Sequence, residues 1–107
     1  RVSGMTLLMF AMVDGHAELA EALLRRGADV SLQNSKGDTA LIVAATIGRE
    51  KLVELALRHG AEINQRCGSN SSSTALIRAA FFGRPAVVLR LLRAGADMTL
   101  RDAYGKT

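Results

Sequence analysis

Only a few side chains in this sequence are of the kind that nucleophilic catalysis or metal binding requires: His16, His59 and Cys67, with a run of serines from Ser69 to Ser73. A serine or thiol nucleophile needs a base held beside it. A structural or catalytic zinc needs Cys and His in closely spaced sets. Here His16 and His59 stand 43 residues apart and Cys67 a further eight along, so no such set exists. Neither GxxxxGK[ST] nor GxGxxG, the glycine patterns that cradle phosphates, is present. The sequence therefore predicts a chain that is not an enzyme and asks for no cofactor and no metal. Asn70-Ser71-Ser72 fits the glycosylation triplet. The single cysteine cannot close an internal disulfide and favours a reducing compartment, which predicts an intracellular location and leaves that triplet unused.

The elements that must carry any surface chemistry are short. The chain has 107 residues, of which 49% are hydrophobic and 22% charged, the composition of one globular domain. That excludes a disordered tail, a collagen-like chain and a multidomain enzyme. Aromatics make up 4% and Trp is absent, so the core must come from many small and aliphatic contacts between closely packed helices. The longest largely apolar run, Met5 to Val13, ends at Asp14, well short of the roughly 20 residues needed to span a bilayer. No membrane insertion is expected. Arg1 opens the chain without an initiator Met or a signal-type segment, and the chain reads as part of a longer protein.

Charge is skewed along the sequence. Residues 66–107 hold seven basic and two acidic side chains, +5, whereas residues 1–65 hold seven and eight, −1. Such a skew speaks to the sign of a partner's charge or to solvated helix faces, and not to fold.

Self-similarity is the dominant pattern. Gly4, Gly15 and Gly27 return 33 residues later as Gly37, Gly48 and Gly60, and Thr6 returns as Thr39. The next copies are offset by 35: Thr39 to Thr74, Gly48 to Gly83, Gly60 to Gly95, which places a two-residue insertion within Cys67 to Ser73. Each unit predicts a short apolar helix (about residues 7–13, 40–47 and 75–82), a glycine turn, and a second helix with an inward stripe. That stripe is Leu19, Ala20, Leu23 and Leu24, then Leu52, Val53, Ala56 and Leu57, then Val87, Val88, Leu91 and Leu92. Pro85 falls at the first turn of the third copy, where its missing N–H costs nothing. The repeats run from about 2 to 34, 35 to 66 and 67 to 101, with a partial copy over 102–107.

These residues resemble the ankyrin repeat family, whose unit of about 33 residues carries G-x-T-P-L-H-x-A, a central G-H and G-A-D-V-N. The first motif stands here as GMTLLMFA, GDTALIVA and SSTALIRA, and the last as GADVS, GAEIN and GADMT. The family's proline is replaced by Leu7, Ala40 and Ala75, and its histidine by Met9, Ile42 and Ile77. The resemblance implies an all-α ankyrin-repeat solenoid of stacked helix-turn-helix units with finger loops, flanked by further repeats or domains and serving as a protein-interaction module. A lone repeat cannot bury its apolar face, so neighbours must stack.

Carried over position by position, the resemblance puts partner-binding side chains at the finger tips and along the inner helices. The tips include Met5, then Lys36 and Asp38, then Ser73, with Tyr104 in the partial copy. The inner-helix surface is Phe10, Val13 and Asp14, then Val43, Thr46 and Ile47, then Arg78, Phe81 and Phe82. This surface is apolar enough to mark an interaction site for a peptide segment or helix of another protein; packing of Phe81 and Phe82 under the fingers is the alternative. Arg78, beside Phe10 and Val43 in its column, is expected either to stack on a ring or meet a partner carboxylate, or to form a salt bridge to a neighbouring finger. Two other roles compete: a spacer within a larger protein, and weak binding of acidic or nucleic-acid partners through basic outer helices, for which no reader motif is present.

Overall fold

A computed structural model describes residues 6–67 and 73–99. It contains six helices and, among the described residues, no strand: α1 (Leu7–Asp14), α2 (Ala17–Arg25), α3 (Ala40–Ile47), α4 (Glu50–Arg58), α5 (Ala75–Phe81) and α6 (Pro85–Arg93). The three inner helices α1, α3 and α5 pack in a row, and the outer helices α2, α4 and α6 form a second row behind them.

Each inner helix starts on a threonine in extended conformation. The hydroxyls of Thr6, Thr39 and Thr74 accept from the N–H groups of Met9, Ile42 and Ile77, satisfying one of the donors left free at a helix start. This is why threonine recurs in the repeat although the family's proline and histidine do not. Each inner helix closes in the same way. His16, Arg49 and Arg84 N–H donate to the carbonyls of Ala11, Ala44 and Ala79 at 2.8–2.9 Å, across a glycine at positive φ. Gly48 is doubly constrained: φ is 90°, and a Cβ built there would sit 2.9 Å from Arg84 Cδ. An alanine would have to hold an unfavourable left-handed backbone and displace that side chain.

The outer helices end on the same motif, with Ala28, Ala61 and Ala96 N–H bonded to Leu23, Ala56 and Leu91 O. Pro85 is in the first turn of α6, as its type predicts. The finger between the first two repeats closes through Asn34 N–H to Asp38 O at 2.9 Å, and the enlarged one through Cys67 N–H to Ser73 O at 2.8 Å. The two-residue insertion thus lies between two anchors that match those of the shorter finger.

The core runs continuously through the stack. Met9, Met12, Leu41, Ile42, Val53, Val87 and Leu91 are its large, fully buried side chains. The middle repeat is covered on both sides, and Ala40 to Ala45 are all buried. Repeat 1 differs at the same register positions. Leu7, Phe10 and Leu19 are exposed where Ala40, Val43 and Leu52 are buried, because no described residue packs on that side of repeat 1. Leu19 therefore departs from the predicted inward stripe for want of a neighbour and not for want of periodicity.

Candidate protein-interaction surface

The site expected from the sequence separates into an inward group and an outward group. Met5 and Tyr104 lie outside the described residues. Asp38, Val43 and Ser73 are buried, which corrects the expectation of exposed tips and an exposed Val43. Val43 is covered from both sides in the middle repeat, while Asp38 and Ser73 are held inside the bases of their fingers. Thr46 and Ile47 are half-buried, and Phe10, Val13, Asp14, Lys36, Phe81 and Phe82 are exposed.

Arg78 belongs to the inward group. Its side chain is 17% exposed and reaches from α5 back to the finger of repeat 2, where Asp38 is 9% exposed. The contact is a fork: Nη2 to Oδ1 at 2.9 Å and Nη1 to Oδ2 at 3.3 Å. Nη1 also donates to Thr46 Oγ1 at 3.3 Å, and Nη2 lies 3.6 Å from Cys67 Sγ. Of the two readings of Arg78, the salt bridge to a neighbouring finger is the one observed. Its charge is compensated by Asp38 inside the stack, so selection of a partner by a free Arg78 charge does not fit this geometry. A planar guanidinium suits a buried bidentate carboxylate, and no buried polar side-chain atom among the described residues lacks a partner.

Two further arginines of the third repeat are spent in the same direction. Arg84 Nε donates to Thr46 O at 3.0 Å, repeating the bond that Arg49 Nη2 makes to Val13 O at 3.0 Å one repeat earlier. Arg90 bridges α6 to α4, with Nη2 to Glu50 Oε1 at 2.7 Å and Nη1 to Glu54 Oε2 at 2.6 Å. The bond to Glu50, then the nearby charges, hold the Arg90 proton more firmly than usual. None of these roles was anticipated from the sequence. The only signal available was a cation recurring just after the glycine turn, at Arg49 and Arg84.

What faces outward along the inner helices is mostly apolar. Val13, Thr46 and Phe81 share one register row along the inner helices, and Asp14, Ile47 and Phe82 the next. Phe81 is 78% exposed and Phe82 47%, so the alternative of packing under the fingers does not hold. Their rings meet edge to face with centroids 5.1 Å apart, a favourable aromatic geometry. Phe10 is exposed for a different reason, as part of the uncovered side of repeat 1.

Among the described residues, no group of three or more His, Cys, Asp or Glu could hold a metal ion. No helix among them is long and apolar enough to cross a membrane. The turn carboxylates Asp29 and Asp97 are tied up locally. Ser31 Oγ and N–H hold Asp29, and Thr99 Oγ1 and N–H hold Asp97, at 2.6–2.9 Å. Both carboxyls are pulled below the usual range, first by the hydroxyl bond and then by the backbone one.

Comparison with known families matches this arrangement to one of them. The family model for ankyrin repeats matches three copies over residues 8–102, and the chain belongs to the ankyrin repeat family. Repeats of this family are in general protein–protein interaction modules and are not catalytic. No curated protein matches the chain.

Proposed function

We propose that this chain is a non-catalytic binding module that takes a segment of another protein along the outward rows of its inner helices. Val13, Ile47, Phe81 and Phe82 are the apolar anchors, and Asp14 and Lys36 supply the exposed charges around them. Arg78 and Asp38 act from inside the stack, fixing α5 against the finger of repeat 2 so that the phenylalanine pair is presented in one orientation. One observation carries this reading: Phe81 and Phe82 are preformed as an edge-to-face pair on the surface, where large aromatics are enriched at binding hot spots.

An Ile47→Glu, Phe82→Glu variant, checked for unchanged helical content and melting temperature, tests it by affinity capture from a native lysate. Retention of a specific protein by the parent chain and its loss from the variant is the expected result. If both chains retain the same proteins, the inner-helix rows are not the binding site.

A further inference from the structure

On the opposite side of the stack, the outer helices α4 and α6 leave an open groove that the interaction surface above does not use. Its apolar floor is Leu57, Ala61 and Ile63, all half-buried, and Arg58 and Arg93 stand on its rim. Between repeats 1 and 2 the counterparts Ala28 and Val30 are half-buried as well, but Leu24, the counterpart of Leu57, is buried, as is Leu55 in the column of Arg90. At the second junction Arg90 is drawn onto Glu50 and Glu54, and Leu57 stays half-buried.

Charge is distributed unevenly over the same surface. Arg25 is neutralised by Glu21 at 2.9 Å, one helical turn earlier. Arg58 has Glu54 at 3.5 Å, but that carboxylate is held more closely by Arg90 at 2.6 Å. Arg93 has Leu89 where the other two repeats have glutamate, and among the described residues no carboxylate lies within ion-pair distance of it. Three arginines and one glutamate line the groove, so positive charge is in excess around its apolar floor.

We infer that the groove binds an acidic segment of a partner protein, one that seats an aliphatic side chain on Leu57, Ala61 and Ile63 while its carboxylates meet Arg58 and Arg93. Complementary charge supplies orientation and rate, and the aliphatic contact supplies affinity. A nucleic acid fits less well, because bases are held by stacking on aromatic rings and the groove lining contains none.

The test uses a short fluorescein-labelled peptide of alternating leucine and glutamate, followed by anisotropy at low and physiological salt. Saturable binding is expected, weakened about tenfold in Arg93→Glu as for loss of a rim charge that steers association. Arg26→Glu, an equal change in net charge away from the groove, should leave it unchanged, as should the Ile47→Glu, Phe82→Glu pair. A peptide with serine in place of leucine should bind poorly. The inference is overturned by any of three results: no binding to the parent chain, equal loss in Arg93→Glu and Arg26→Glu, or a serine peptide or oligo-dT bound as tightly as the leucine peptide.

Discussion

The two junctions between repeats are built on different principles. Repeat 1 meets repeat 2 through aliphatic side chains such as Leu8 and Met12, and among the described residues the one side-chain hydrogen bond between them that joins residues distant in sequence is Arg49 to Val13 O. Repeat 2 meets repeat 3 through a comparable apolar layer plus the Arg78–Asp38 fork, the Arg84 bond to Thr46 O, the Arg90 bridge, and Asp97 N–H to Asn64 Oδ1 at 2.9 Å. Part of the positive charge of the C-terminal half is thus internal wiring. Three of its arginines point back into repeat 2, and the outward face of the inner helices is left to Phe81 and Phe82.

That contrast can be broken most severely at the layer both junctions share. Leu8→Ala and Leu41→Ala each empty a buried leucine site and should each cost about 2–5 kcal/mol in urea unfolding. Similar losses at the two sites would show that the polar contacts of the second junction are added to its apolar layer and do not replace it.

A glycine comparison isolates one of those polar contacts. Gly48→Ala and Gly60→Ala both force alanine into a left-handed backbone, φ 90° and 94°, at about 1–2 kcal/mol. A Cβ at Gly60 meets nothing within 4 Å, whereas one at Gly48 strikes Arg84. Gly48→Ala should be the more destabilising, and the difference should vanish in an Arg84→Ala background.

Acid provides a gentler probe. Asp29 and Asp97 have carboxyls lowered in the folded chain, so the unfolded chain binds protons first as pH falls. Their contribution is complete above the ordinary aspartate range and is lost as pH drops through the lowered folded values. Melting temperature should therefore fall on acidification below about pH 4, and less steeply in an Asp29→Asn, Asp97→Asn chain.

The smallest effect is expected at Arg90. Arg90→Gln removes a half-buried bridge at the outer surface, so its cost should be modest at low salt and shrink further as salt is added. The Arg78 fork, buried at the same junction, should respond far less to salt.

Which parts of this were legible in the sequence follows from the range of the interactions. The helices, their glycine ends, the place of Pro85 and the span of the insertion all depend on neighbours within one repeat. They were readable from the 33- and 35-residue offsets. The exposure of Leu19 was not, since it depends on what covers repeat 1. Nor was Asp38: its motif position is a finger tip, yet an arginine 40 residues away draws it inward. The sequence could state that Arg78 was out of place among Phe10 and Val43 and could name a neighbouring finger as its partner. Only the spatial stacking of repeats selected that option over the ring or an outside carboxylate.

The measurement closest to the central claim, that Arg78, Arg84 and Arg90 serve the stack and leave the inner-helix face to its apolar rows, is a double-mutant cycle at Asp38 and Arg78. Asp38→Ala and Arg78→Ala should each cost about 2–4 kcal/mol, because each leaves a largely buried charge without its partner. The double variant should cost little more than the worse single one, since both charges are then gone. Additive losses, or an Arg78→Ala chain as stable as the parent but unable to capture its partner, would contradict the account and return Arg78 to the binding surface.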